Sequence, residues 1–71
     1  MEFVEEELAS RKIKSFRALK GYTQEDMATK LGLSRKVYIK YENSPYSVPI
    51  EKLEPVAKVL GCRVGDFFVA Y

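Results

Sequence analysis

Apolar residues recur at spacings of three and four along most of the chain, and nowhere does apolar and polar alternation persist long enough for a strand. This pattern predicts an all-α domain. A first helix is expected from about Val4–Leu8 to Lys20, with Ala9, Ile13 and Phe16 as its inward stripe and Gly21 as its stop. Thr23-Gln24-Glu25-Asp26 opens a second helix, because the Thr23 hydroxyl can accept from the amide of residue 26 while the Asp26 carboxylate accepts from the Thr23 amide. Tyr22 and Met27 stand at hydrophobic-staple positions across that start. Met27, Ala28 and Leu31 face inward and Gly32 closes the helix. Ser34 then caps a third helix, with Leu33 and Tyr38 as its staple, so the connection spans only about three or four residues and the two helices must cross steeply.

The third helix is predicted to reach Tyr41–Glu42, with Tyr38 and Tyr41 inward and Val37 at the margin. Asn43 to Pro49 is the longest loop, and Pro49 suits the first turn of a fourth helix whose stripe is Leu53, Val56, Ala57 and Leu60 and whose stop is Gly61. A short helical turn around Val64–Phe68 leads into the apolar run Phe67-Phe68-Val69-Ala70-Tyr71. Repeats and low-complexity segments are absent, so residues 1–71 read as one domain, with an acidic leader at 1–7 and an apolar C-terminal segment at 64–71.

Charge sharpens this picture. Residues 1–10 carry four acids and no Lys or Arg, residues 11–40 carry nine bases against two acids, and residues 41–71 are near balance, so a net charge of +2 hides a basic central block. Such a block flanked by neutral or acidic segments points to a polyanion on one face, or to helix surfaces that the bases merely solvate. Composition removes other classes: with no His and one Cys among 71 residues, the chain lacks a Zn or Fe–S ligand set, an internal disulfide and a Ser-His or Cys-His nucleophile pair. Cys62 reads as a small core residue, and the scattered carboxylates form no pair suited to acid–base catalysis. No apolar run approaches the roughly 18 residues of a membrane span, and the acidic start is unlike a signal peptide, so a soluble cytoplasmic protein is expected. A chain of this size buries only about 60 % of its unfolded surface, which makes an added partner subunit a further expectation.

Helix, glycine-centred turn, helix over residues 23–42 is the layout of a DNA-reading helix-turn-helix, whose second helix enters the major groove N-terminus first. With Tyr38 and Tyr41 inward, the opposite face of the third helix presents Arg35, Lys36, Ile39, Lys40 and Asn43. Arg and Lys can donate to guanine O6 and N7, and Ile can lie on a thymine methyl. At the start of the second helix, backbone amides and the Gln24 carboxamide can hold a phosphate.

From Ile13 to Phe68 the sequence resembles the phage repressor and Cro type of helix-turn-helix domain, the xenobiotic-response-element family. The resemblance is carried by Thr23-Gln24, Met27-Ala28, Leu31-Gly32-Leu33-Ser34 and Glu42, and continues through Leu53, Ala57, Leu60, Gly61 and Phe67. It implies a compact five-helix, lambda-repressor-like domain that binds operator DNA as a homodimer. It also implies phosphate contacts by Gln24 and Asn43, base contacts by Arg35, Lys36 and Lys40, and a structural ion pair between Arg17 and Glu42. Three positions depart from the family: Tyr38 stands where Ile or Val is usual and needs a wet or hydrogen-bonded hydroxyl, Asn43-Ser44 replaces Arg-Gly, and Arg63 replaces a Ser or Thr cap.

The expected function is therefore a non-enzymatic, sequence-specific regulator of transcription bound to double-stranded DNA. Arg35, Lys36, Ile39 and Lys40 read bases, while Thr23, Gln24, Asn43 and Ser44 hold phosphates. The apolar tail holds more large side chains than so small a core should absorb, which places Phe67, Phe68, Val69 and Tyr71 at a homodimer interface on a near-palindromic operator. No cofactor, metal, membrane or small-molecule ligand is expected. The alternative is a protein-interaction module on the same scaffold, an antitoxin or antirepressor, for which the acidic leader is the best support.

Overall fold

The computed structural model describes residues 5–68, which form helices α1 (Glu6–Lys20), α2 (Gln24–Leu31), α3 (Arg35–Asn43), α4 (Ile50–Leu60) and α5 (Gly65–Phe68), with a 3-10 turn at Pro45–Ser47. No strand occurs among the described residues. The helix starts follow the predicted side-chain chemistry. At α2 the Asp26 amide donates to Thr23 Oγ1 at 3.0 Å and the Thr23 amide donates to Asp26 Oδ2 at 2.9 Å, closing the reciprocal cap. At α3 the Val37 amide donates to Ser34 Oγ at 3.2 Å. The Thr23 cap holds the Asp26 carboxyl below its ordinary range, since a backbone and a side-chain donor both favour the charged form.

The turn between α2 and α3 rests on Gly32, whose φ of 69° is left-handed and costs an L side chain energy. Its amide donates to the Thr29 carbonyl at 3.2 Å and that of Leu33 to the Ala28 carbonyl at 2.9 Å, so two otherwise unpaired carbonyls at the helix end are satisfied. The same pair of bonds ends α1 at Gly21 and α4 at Gly61. Pro49 stands one residue before α4, its carbonyl accepting from the amides of Lys52 and Leu53. Pro55 lies inside α4 and cannot donate to the Glu51 carbonyl, but both positions face solvent, where that carbonyl can be hydrated. α5 starts at Gly65, one residue later than expected; the Asp66 carboxylate accepts from the Arg63 amide at 3.0 Å and supplies the tie that a side-chain cap at Arg63 cannot.

The inward stripes of α1 to α5 meet in one core of Ile13, Met27, Ala28, Tyr38, Val56, Ala57, Leu60 and Phe67. This corrects one expectation: Phe67 is fully buried within the single chain, edge-on to Phe16 with ring centroids 5.8 Å apart, and has no surface to offer a second copy. Phe68 is half-buried and leans on the half-exposed Tyr46 at 5.4 Å. Val69 and Tyr71, also expected at a dimer interface, lie outside the described residues.

Candidate nucleic-acid interface

Two residues of α3 are completely buried, Tyr38 and Glu42, one turn apart. A buried carboxylate is tolerable only when donors replace its lost water, and Glu42 has four. Arg17 Nε donates to Oε2 at 2.8 Å and Arg17 Nη2 to Oε1 at 3.2 Å, Gln24 Nε2 donates to Oε1 at 3.2 Å, and the Tyr38 hydroxyl donates to Oε2 at 2.7 Å. Arg17 Nη1 also donates to the Tyr22 carbonyl at 3.0 Å. The expected Arg17–Glu42 pair is thus present and joins α1, α2 and α3 around one carboxylate. The Glu42 hydrogen bond raises the Arg17 pKa further, outweighing the partial loss of water around the guanidinium.

Tyr38 is the hydroxyl that the sequence required to be bonded. Burial first, then the hydrogen bond to Glu42 and its charge, push its phenol far above the ordinary tyrosine value. A raised folded pKa stabilises the fold below the unfolded value and loses that effect as pH climbs past it, because only the unfolded phenol then ionises. Tyr38→Phe is therefore expected to lower stability by about 1–2 kcal/mol at neutral pH, and the penalty is expected to shrink steadily above about pH 10. Urea unfolding of both proteins across pH 7–11 checks this; a penalty constant across that range refutes the coupling.

Burial of Glu42 also sets how α3 is turned. Helical residues advance about 100°, so Tyr38 and Glu42 lie about 40° apart and the inward line runs between them. From that line Lys40 is about 180° away, Lys36 about 140° and Val37 about 120°, whereas Ile39 and Tyr41 lie about 80° to either side. Exposure follows the geometry: Lys36 and Lys40 are exposed, Val37 is 38 % exposed, and Ile39 and Tyr41 are half-buried. This corrects the expected inward set: Glu42 takes the place given to Tyr41, and Ile39 moves toward the flank. Arg35, in the first turn, is exposed and reaches the start of α2, where it lines an open groove of about 520 Å³ with Arg17, Tyr22, Thr23 and Gln24. Thr23, Gln24 and Arg35 are therefore brought together, while Asn43 and Ser44 sit apart at the far end of α3. Asn43 is exposed and Ser44 is half-buried, its carbonyl accepting from the Ser47 hydroxyl at 2.8 Å.

Residues 13–67 match the helix-turn-helix family. An uncharacterized HTH-type transcriptional regulator of Methanocaldococcus jannaschii is 40 % identical over 58 residues, which are 82 % of this chain and 88 % of that protein. Among solved structures, the clp gene regulator ClgR from Corynebacterium glutamicum is 31 % identical with a TM-score of 0.74 over 87 % of this chain and 66 % of its own. Apo-HppE has a TM-score of 0.80 at 19 % identity over 93 % of this chain; the chain spans 37 % of that protein, and the likeness is one of fold. With the capped α2, the glycine turn and the outward-facing cations of α3 in place, the chain belongs to the Cro/C1-type, xenobiotic-response-element family of helix-turn-helix transcriptional regulators.

Proposed function

We propose that the chain binds duplex DNA sequence-specifically through α3, as a homodimer on an approximately palindromic operator, and regulates transcription without catalysis. The observation that carries this reading is the exposure of Arg35, Lys36 and Lys40 on a helix whose other side is locked by Tyr38 and Glu42. A rigid helix with Lys36 and Lys40 facing out and Arg35 exposed at its N-terminal end suits the major groove, since each can donate to guanine O6 and N7. α2 clamps the backbone. The Thr23 hydroxyl is engaged with Asp26, whereas the Gln24 carboxamide has a second N–H beyond the one given to Glu42. The amides of Gln24 and Glu25 stand where a helix offers no internal acceptor, so a phosphate can satisfy them. Asn43 and Ser44 are assigned to a second phosphate at the other end of α3.

The homodimer reading is supported by the half-buried Phe68 against the half-exposed Tyr46 and by the apolar Val69 and Tyr71 that follow in the sequence, outside the described residues. A twofold pair would set its two α3 helices about one DNA turn, roughly 34 Å, apart on successive major grooves. Selection of bound sites from a random duplex library, followed by titration of two variants, tests the whole reading. A palindrome with half-sites about one turn apart is expected. Arg35→Ala is expected to cost about 1–3 kcal/mol on the selected site and to relax preference at one base pair, whereas Gln24→Ala weakens selected and random duplexes alike. Equal losses on both duplexes for both variants would remove α3 as the reader.

A further inference from the structure

Resting on the DNA reading above, we propose that Val37 is a base-reading residue, seated on a thymine methyl, and that the strand edge facing α3 is built of guanine and thymine. Three observations lead here. Val37 is 38 % exposed on the outward side of α3, while Ile39, the residue whose type first suggested a thymine contact, is half-buried on the flank. Val37 sits in the first turn, the part of a recognition helix that reaches furthest into the groove, and its amide is held by the Ser34 hydroxyl at 3.2 Å, so the side chain starts from a fixed backbone. Around the helix Lys40 lies about 60° from it, between Val37 and Lys36, so the apolar isopropyl group flanks the two cations on the side away from the core.

The chemistry of these neighbours restricts the bases. Arg and Lys donate and never accept, so Arg35, Lys36 and Lys40 can pair with guanine O6 and N7 or thymine O4 but are repelled by the amino group of cytosine. Adenine offers N7 to a donor but places its own N–H beside it, and no Asn or Gln occupies the first turn of α3 to satisfy both. Among the four bases only thymine adds a methyl for Val37 to cover. One face that combines donors with one branched apolar group thus fits the two keto bases.

The test uses the best duplex from the selection and replaces each half-site thymine in turn by deoxyuridine, which deletes the methyl and keeps every hydrogen-bonding group. For the wild-type protein one such change per half-site is expected to weaken binding about fourfold, the effect of one buried methyl group. Val37→Ala, which keeps the Ser34 cap because the bond is to the backbone, is expected to bind thymine and deoxyuridine equally at that position. Ile39→Ala is expected to retain the discrimination. Thermal melts of both variants near the wild-type midpoint establish that the fold is intact. The proposal is overturned if Val37→Ala still distinguishes the two bases, if Ile39→Ala does not, or if cytosine is preferred opposite Lys36 or Lys40. Recovery of no preferred sequence defeats the DNA reading and this one with it, whereas a clear operator indifferent to every methyl defeats this one alone.

Discussion

Arg17→Ala is expected to remove about 3–5 kcal/mol of stability, the cost of leaving a buried charge without its partner. For 71 residues the total is only about 4–11 kcal/mol, so the variant is left close to unfolding. The magnitude follows from where the carboxylate lies. Glu42 is wholly buried, and Arg17 supplies two of its four donors together with the positive charge. Tyr38 and Gln24 remain after the substitution, but both are neutral and cannot offset a negative charge held away from water. Arg17→Lys keeps the charge but offers a point donor in place of a planar fork, and it loses the bond to the Tyr22 carbonyl, so an intermediate loss is expected. Urea unfolding followed by circular dichroism measures all of these. The triple change Arg17→Met, Tyr38→Phe, Glu42→Leu removes every strongly polar member except Gln24, whose carboxamide can turn to solvent, and is expected to recover most of the loss. A loss under about 1 kcal/mol for Arg17→Ala would show that the pair behaves as an exposed one.

The same carboxylate explains where reading the sequence fell short. Helix ends were legible because local chemistry decides them: Thr23 with Asp26, Ser34 with the Val37 amide, and glycines after α1, α2 and α4 need no knowledge of the rest of the fold. The rotation of α3 is decided by tertiary contacts. A glutamate is assigned to solvent by default, which left Tyr41 as the second inward residue and turned the assumed inward line by about 50°. That shift exchanged the roles of Val37 and Ile39. A signal was present nonetheless, for a tyrosine at a core position needs an acceptor, and Glu42 lies one turn away from Tyr38 with Arg17 implied as its partner. The burial of Phe67 has a related cause: chain length alone implies a core too small for it, whereas packing against Phe16 beside the small Ala28 and Ala57 accommodates a full ring. The Pro45–Ser47 turn, read only as loop, is also fixed at a distance, by the Tyr46 amide donating to Glu6 Oε2 at 3.2 Å.

Lys36→Ala with Lys40→Ala is expected to lower affinity for the selected operator by about 2–6 kcal/mol, roughly 30-fold to twenty-thousandfold, and to change the fold little. Both side chains are exposed and lie furthest from the inward line, so their removal opens no cavity and strands no buried group. Helix propensity even favours alanine slightly at both sites. The loss must therefore be felt at the DNA. If the two lysines read bases, affinity for the operator falls by much more than affinity for random duplex, and the specificity ratio collapses. If they only neutralise phosphates, both affinities fall together and the dependence of log K on log salt flattens by about two contacts' worth. Fluorescence anisotropy over a range of salt concentrations separates the cases, because the random duplex reports the electrostatic part alone. Unchanged affinity on both duplexes, in a protein that melts normally, would detach the basic face of α3 from DNA altogether. Stoichiometric capture of one polypeptide by the wild type, lost in this double variant, would then assign that face to a protein surface, since the same helix face can serve either partner.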